Sequence, residues 1–539
     1  MRAQSAIVNI LGIAATAPSL VAAAPVPWTI GQSVQTTSGL VQGHAASGAV
    51  QVSIWLVASK RHTDENINQV SEYLGIPYAQ PPIGTLRFQP PAKFVGSATI
   101  NGSAFHLDQG HQCMQPTINA TLPDGIATLG VPTSAVSVLT VLADAGSQSE
   151  DCLTLNVWTK PQVGDPKKAV LVWIHGGAFT TGSSRVPANN GQFITDQTDV
   201  VMVSLNYRLN VFGFPGNPTS APNLGLLDVR LAVQWIRDNI ENFGGDANRI
   251  TLFGQSAGGS LVDYYSYAYA SDPIAKGFIS MSGTANGFGI FTNQTVNAKW
   301  FNITSAVGCG NSQTDPTSVN NCMLAKSSTE IMAGLSSIGS GAPGGTFFAP
   351  VVDDTLVFAD YSMRDSAKGG YIVGNTDNEA GLFKLGAPGF NETFWGGFNL
   401  IGFDCPAARR ATRAVSTGHP TWRYRYFGNF PNMVITTTPP SGAWHTSELP
   451  VLFDTAPQSP VASTPQEMEI GKYFRGAWAA FAKNPTSGLL QFNGNETWPN
   501  YQADGTAVNR IAFENQTGTN IAPGSAFDGS CALVGIPVA

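Results

Sequence analysis

The serine at position 256 stands between glycines in the run GQSAGG (254–259) and directly follows the apolar run RITLF (249–253). An apolar run of this kind suits a buried strand, so we expect the strand to end in a sharp turn that carries Ser256 into a helix. Gly254 and Gly258 leave room where a Cβ would collide with neighbouring backbone. Such a turn exposes a serine hydroxyl as a nucleophile for acyl transfer. The alternative is a chance match, because the chain contains 58 glycines.

Acyl transfer through a serine also requires hydrogen-bond donors for the oxyanion. The run WIHGGAF (173–179) places two glycines and an alanine just after an apolar, strand-like run. Backbone N–H groups at such a turn approach a substrate oxygen closely. We therefore predict an oxyanion hole formed by the N–H groups of Gly177, Ala178 and Ala257. An ordinary tight turn is the alternative for this run.

The segments that must position these turns alternate between strand-like and helix-like patterns. Runs 153–158, 169–174 and 200–206 suit strands that are buried on both faces. Between residues 226 and 243 apolar side chains recur at helical spacing, and two glycines follow at 244 and 245. This order predicts an α/β fold with a mostly parallel central sheet flanked by helices, with its chemistry at the carboxyl ends of the strands.

Composition limits the class of protein. The chain has 539 residues, 12% charged side chains, a net charge of −7 and no basic block, so we expect no nucleic-acid partner. Residues 1–24 combine one cation, a short apolar stretch and a small-residue site, which predicts a secretory signal peptide before a single domain over 25–539. We expect a secreted or secretory-pathway protein without a transmembrane segment, a metal or an organic cofactor. The sequence does not determine the oligomeric state.

Cysteines and sequons agree with export. Six cysteines form an even set without a C-x-x-C pair, which favours disulfides over a zinc or redox site but leaves the pairing open. They are Cys113, Cys152, Cys309, Cys322, Cys405 and Cys531. Glycosylation is predicted at the N-x-S/T sequons Asn101, Asn119, Asn293, Asn302, Asn391, Asn495 and Asn515.

Several long motifs together resemble the type-B carboxylesterase/lipase family of the α/β-hydrolases, which includes cholinesterases and secreted fungal lipases. The resemblance covers most of the chain after residue 24. It rests on the runs YLGIPYA (73–79), LRF (86–88), SEDCLTLN (149–156), NYRL (206–209), NLGLLD (223–228) and NFGGD (242–246). It implies the α/β-hydrolase fold with large loop insertions.

The resemblance also implies partners for Ser256. The acid of the family matches Glu379 in GNTDNEAG (374–381), with Asp377 as the main competitor. The base matches His445 in GAWHTSELP (442–450), whereas His419, the other late histidine, has no such context. A Ser-His-Glu triad hydrolyses esters through an acyl-enzyme, and its base must be neutral, so activity should fall at low pH.

Further pairings follow from the same resemblance. It implies disulfides from Cys113 to Cys152 and from Cys309 to Cys322, and it leaves Cys405 with Cys531. Buried structural ion pairs are implied for Arg87 with Glu150 and for Arg208 with Asp228.

The loop between Cys113 and Cys152 contains no aromatic residue, which argues against a choline ester substrate. It is rich in Val, Leu and Ile and is either a mobile lid that opens at lipid surfaces or an ordinary packed insertion. The leading interpretation is a carboxylesterase or lipase acting on small-molecule esters. A dedicated esterase for one natural product and a catalytically silent binding protein of the same fold are the alternatives.

Overall fold

The structure is a computed structural model. It describes residues 28–46, 69–102, 110–116, 129–143, 146–160, 167–287, 291–339, 348–492, 497–536 and 538. The predicted signal peptide (1–24) lies outside these residues, as do the sequons Asn119 and Asn495.

The strands belong to one large sheet and two small ones. In the described residues the large sheet has eleven strands in the order β16-β15-β14-β13-β12-β11-β9-β10-β8-β4-β3, and the small sheets have the orders β1-β2-β5 and β6-β7. The strands are β1 (Val34–Thr36), β2 (Gly39–Gln42), β3 (His44–Ala45), β4 (Ser71–Pro77), β5 (Thr99–Asn101), β6 (Gln112–Cys113), β7 (Gln148–Ser149), β8 (Thr154–Thr159), β9 (Lys168–Ile174), β10 (Val201–Leu205), β11 (Gly245–Gln255), β12 (Gly277–Met281), β13 (Gly370–Thr376), β14 (Thr421–Tyr426), β15 (Val508–Ile511) and β16 (Ile521–Ala522).

Helices cover both faces of the large sheet. They are α1 (Thr133–Val141), α2 (Gln192–Thr198), α3 (Asn210–Gly213), α4 (Leu224–Asn239), α5 (Ala257–Ala268), α6 (Asn293–Ala306), α7 (Pro316–Ala325), α8 (Ser328–Ser337), α9 (Ala380–Phe383), α10 (Glu392–Asn399), α11 (Cys405–Ser416), α12 (Glu448–Leu452), α13 (Pro465–Lys483) and α14 (Ser525–Asp528). A π-helical turn, Leu400–Asp404, joins α10 to α11. None of the helices in the described part of the chain is long and apolar enough to cross a membrane.

Parallel pairing dominates the centre of the large sheet. Each neighbouring pair from β15 through β14, β13, β12, β11 and β9 to β10 is parallel. The outer strands β8, β4, β3 and β16 run antiparallel to their neighbours. This mixed, mostly parallel sheet with flanking helices confirms the predicted fold class.

The two faces of the sheet bury separate hydrophobic clusters, which explains the continuous apolar runs. Along β9, Val172 and Ile174 join the cluster that contains the apolar side of α4, whereas Leu171 and Trp173 join the cluster that contains α13. Side chains alternate between faces along a strand, so a strand covered on both faces needs apolar residues at every position.

The predicted elements are present with small changes at their ends. The runs at 153–158, 169–174 and 200–206 become β8, β9 and β10 within one residue at each end. The predicted helix at 226–243 is α4 followed by the 3₁₀ turn Ile240–Phe243, and Gly244 ends it with a φ of 80°. That turn passes directly into β11, which carries the chain to Ser256.

Candidate active site

Ser256 lies at the carboxyl end of β11, directly before α5, with φ 57° and ψ −125°. This is the sharp strand-to-helix turn that the sequence predicted, and a non-glycine residue in such a conformation is strained. Its two glycines allow close backbone approach. A Cβ on Gly254 would lie 2.5 Å from the carbonyl of Gly258, and one on Gly258 would lie 2.0 Å from the carbonyl oxygen of Ile174. The Ser256 N–H donates to the Met281 carbonyl at 2.8 Å, which fixes the turn against β12.

The glycine-rich loop after β9 packs against this serine. A Cβ on Gly176 would lie 3.0 Å from the Cβ of Ser256. Gly177 and Ala178 have φ values of 106° and 53°, which turn the loop back on itself. Within the described residues, the N–H groups of Gly177, Ala178 and Ala257 donate to no other backbone group. Three amides beside the serine are therefore available to a substrate oxygen.

His175 supports this loop as a neutral side chain. Its Nδ1 lies 2.8 Å from the Gly176 carbonyl oxygen, and its ring stacks on Tyr207 with 4.5 Å between centroids. Burial lowers the pKa of His175 to about 4. At neutral pH the imidazole therefore carries no charge beneath the loop.

Glu379 and His445 form a hydrogen-bonded pair near the same end of the sheet. Glu379 Oε2 lies in short contact with His445 Nδ1. The other oxygen, Oε1, accepts from the hydroxyl of Ser282 and the N–H of Thr376, both at 2.7 Å. Glu379 has no solvent exposure and His445 has 3%. These donors hold the carboxylate in one orientation toward the ring.

The rest of the imidazole is surrounded by aromatic rings and one amide. The ring centroids of Phe383 and Phe403 each lie 5.0 Å from that of His445. Gln255 Nε2 lies 3.2 Å from His445 Nε2. In the described residues the Ser256 hydroxyl makes no hydrogen bond to His445. Catalytic hydrogen bonds are often long or poorly aligned without substrate, so the absence of this bond does not exclude His445 as the base.

The competing residues lie elsewhere. Asp377 contacts Arg425 at 2.8 Å and has a side chain that is 42% exposed. His419 precedes β14 and therefore lies at the opposite, amino-terminal edge of the parallel strands from Ser256. Asp353, another acidic residue earlier in the chain, caps a turn by accepting from the backbone N–H groups of residues 355–357.

Two further carboxyl groups lie behind Glu379. Burial raises the pKa of Asp404 to about 6, although Arg425, at 3.0 Å, opposes the shift. Burial, followed by the charge of Glu379, raises the pKa of Glu448 well above its usual value. Neither Glu448 oxygen has a hydrogen-bond partner among the described residues. The raised pKa favours the uncharged form of Glu448 beside Glu379.

Sequence reasoning missed several of these neighbours. Gln255 lies inside the serine motif, where its position next to Ser256 was a usable signal. No sequence signal indicated the other neighbours, because their positions near Glu379 and His445 depend on strand order and on the π-helical turn. These neighbours are Ser282, Phe383, Phe403 and Asp404.

The cysteines and charged residues pair as the resemblance implied. Ion pairs join Arg87 to Glu150 at 2.6 Å and Arg208 to Asp228 at 2.7 Å, all with little exposure. Disulfides join Cys113 to Cys152, Cys309 to Cys322 and Cys405 to Cys531.

The predicted glycosylation sites differ in accessibility. Among the described sequons, Asn101, Asn293, Asn302 and Asn391 are exposed. Asn515 is half-buried, and its amide group binds the backbone of Asn429 on both sides.

The described part of the Cys113–Cys152 loop packs on the body of the protein. The Thr437 N–H donates to the carbonyl oxygens of Leu129 and Gly130 at 3.2 and 3.1 Å, and the Thr437 hydroxyl donates to Gly130 at 2.8 Å. On α1, Val138 is fully buried, whereas Val136 is 61% exposed. This segment is attached to the loop that precedes His445.

A strand-end serine turn, a loop of free amides and a histidine-carboxylate pair on a mostly parallel sheet define the α/β-hydrolase class. The chain belongs to the carboxylesterase family, whose sequence model matches residues 50–394 and 391–525. Membership makes the protein a carboxylic ester hydrolase.

Relatives cover most of the chain. It is 35% identical over 480 residues to the chlorogenic acid esterase of Aspergillus niger, across 86% of this chain and 84% of the relative. It is 31% identical over 508 residues to secreted lipase 5 of Gibberella zeae, across 87% of this chain and 91% of the relative. The cholinesterase of Mus musculus is 33% identical over 336 residues, across 60% of this chain and 52% of the relative.

Proposed function

We propose that the protein is a secreted serine hydrolase that cleaves carboxylic esters through Ser256, His445 and Glu379. The observation that carries this proposal is the buried, hydrogen-bonded Glu379–His445 pair at the sheet edge that also bears the strained serine turn. An intact set of this kind argues against a catalytically silent binding protein.

The proton path follows from the contacts. His445 Nδ1 is occupied by Glu379, which leaves Nε2 to take the proton from Ser256 as its oxygen attacks the ester carbonyl. Glu379 then stabilises the imidazolium. The alcohol leaves with that proton, and water repeats the sequence on the acyl-enzyme. Because the base must be neutral, hydrolysis slows at low pH.

The oxyanion is proposed to accept hydrogen bonds from the N–H groups of Gly177, Ala178 and Ala257. Removing one such donor typically costs about 3 kcal/mol of transition-state stabilisation. Amides held by a rigid loop need no reorganisation when the charge develops, so each donor from the loop after β9 stabilises the transition state directly.

Active-site labelling tests the assignment. Ser256→Ala and His445→Gln should each lower kcat on the order of a millionfold, and Ser256→Ala should abolish labelling by a fluorophosphonate probe. His419→Gln is the matched control, because this histidine lies at the other edge of the sheet, and it should keep labelling and hydrolysis. Retained labelling in Ser256→Ala would overturn the proposal.

For the substrate, we propose small soluble esters rather than lipid aggregates. The anchored position of α1 supports this choice, and the name of the Aspergillus relative adds chlorogenic acid as a candidate substrate. A panel of aryl esters of increasing acyl length, chlorogenic acid and an emulsified triglyceride separates the possibilities. Preference for the emulsion would favour a lipase, and activity on one substrate alone would favour a dedicated natural-product esterase.

Export is proposed through cleavage of residues 1–24, which leaves one domain over 25–539. Three disulfides, exposed sequons and similarity to a secreted lipase support an extracellular, glycosylated protein. Mass spectrometry of protein recovered from culture medium, before and after glycosidase treatment, tests the new amino terminus and the used sequons. A full-length amino terminus would contradict cleavage.

A further inference from the structure

Gln255 is the last residue of β11 and directly precedes the proposed nucleophile. Its side chain is 1% exposed and lies between the two other parts of the site. On one side its Oε1 would lie 3.1 Å from a Cβ on Gly176, in the oxyanion loop. On the other side its Nε2 contacts the ring of His445. The amide therefore touches both the loop and the base.

The contact with His445 is made to the face of the ring. Gln255 Nε2 lies 3.4 Å from Nδ1 and 3.2 Å from Nε2 of the imidazole. If Gln255 Nε2 lay in the plane of the imidazole at these nearly equal distances, it would overlap a carbon atom of the ring. The amide nitrogen therefore lies above the ring plane. The Gln255 amide thus does not occupy the in-plane lone-pair direction of Nε2.

The charge environment of His445 is otherwise supplied by carboxyl groups. Glu379 binds Nδ1 from the end of β13. Glu448, from α12, and Asp404, from the π-helical turn and paired with Arg425, stand behind Glu379. Phe383 and Phe403 contribute uncharged rings.

We propose that Gln255 is a positioning residue that sets the acid limit of hydrolysis by presenting a neutral amide, rather than a carboxylate, to the face of His445. A carboxylate at this distance would stabilise the imidazolium form, in which His445 cannot accept the Ser256 proton. The neutral amide keeps the base competent at lower pH. This inference rests on the proposed function.

Substitutions that separate charge from size test it. Gln255→Glu adds a charge at almost unchanged volume, and Gln255→Met removes the amide without adding charge. Gln255→Asp carries the charge on a shorter side chain and serves if the glutamate variant does not fold. For each folded variant, kcat/KM for 4-nitrophenyl acetate and the rate of fluorophosphonate labelling are measured as functions of pH.

The acid limb of both profiles should move up by at least about one pH unit in Gln255→Glu and in Gln255→Asp, because an opposite charge within a few ångströms shifts titration by this amount. At a pH well below the acid limb, a shift of one unit lowers the rate of the variant about tenfold relative to wild type, when each rate is divided by its own plateau value. In Gln255→Met the limb should stay within about a third of a unit.

An unmoved limb in the carboxylate variants would overturn the inference, as would an equal shift in Gln255→Met. Loss of rate at every pH without a shift would also count against it, because a purely structural role predicts that result. A wild-type protein that neither hydrolyses the ester nor reacts with the probe would instead overturn the proposed function and take this inference with it.

Discussion

At the scale of single residues, Asp377 and Glu379, two carboxylates separated by one residue after β13, allow the proposed catalytic role to be tested against a structural one. Glu379→Gln should lower kcat by about 10⁴, because an amide at Nδ1 holds the imidazole in the wrong tautomer and does not stabilise its positive charge. Asp377→Asn is the matched control. Its partner Arg425 also pairs with Asp404, so steady-state hydrolysis should stay within about threefold of wild type. A loss in Asp377→Asn equal to that in Glu379→Gln would contradict the assignment.

What the sequence could predict at this scale depends on whether a residue lies in a local motif. The Ser256 turn and the proposed oxyanion loop after β9 are each indicated by glycines within a short local motif. Glu379 and His445 needed the resemblance, because a lone acid or histidine has no local signature. The contact of Phe403 with His445 could not be predicted from the sequence, because it depends on a π-helical turn and on the packing of that turn against the loop that carries His445.

At the scale of elements, runs buried on both faces gave β8, β9 and β10, and helical spacing gave α4. Strand direction was less accessible: β8 pairs antiparallel with β10, and nothing within its own sequence distinguishes it from a parallel strand. The helix α1 was not predicted, because its burial depends on contacts with distant loops rather than on a periodic apolar face.

The attachment of α1 yields a prediction about the Cys113–Cys152 loop. Gly130 has a φ of 56°, and a Cβ there would lie 2.3 Å from the Thr437 hydroxyl oxygen, so Gly130→Ala should loosen the segment and raise amide hydrogen exchange over 129–143. Gly418→Ala, also at positive φ but in open space, is the control for backbone strain alone.

In wild type, the rate on a short-chain ester should saturate smoothly through its solubility limit. A sharp jump at that limit would instead favour a lid that opens at lipid surfaces.

At the scale of the whole molecule, the three disulfides hold chain segments of very different length. Cys309 and Cys322 are 13 positions apart and close a short loop, whereas Cys405 and Cys531 are 126 positions apart. The disulfide that closes the longer segment, from Cys405 to Cys531, joins the carboxyl-terminal segment to the start of α11. That start directly follows the π-helical turn that carries Phe403 and Asp404, so the bond couples the chain end to the surroundings of His445.

The length of the closed loop therefore predicts which of two matched double variants is less stable. In the chain-entropy description, losing the bond between Cys405 and Cys531 should cost about 2 kcal/mol more than losing the bond between Cys309 and Cys322, because the unfolded chain gains a longer free loop. Cys405→Ser/Cys531→Ser should unfold at the lower temperature when both are scanned at one rate. It should also lose more esterase activity than Cys309→Ser/Cys322→Ser, since only its bond adjoins the turn that packs on His445. Equal unfolding temperatures would contradict the entropic ordering, and equal residual activities would show that the turn is held in place without the bond.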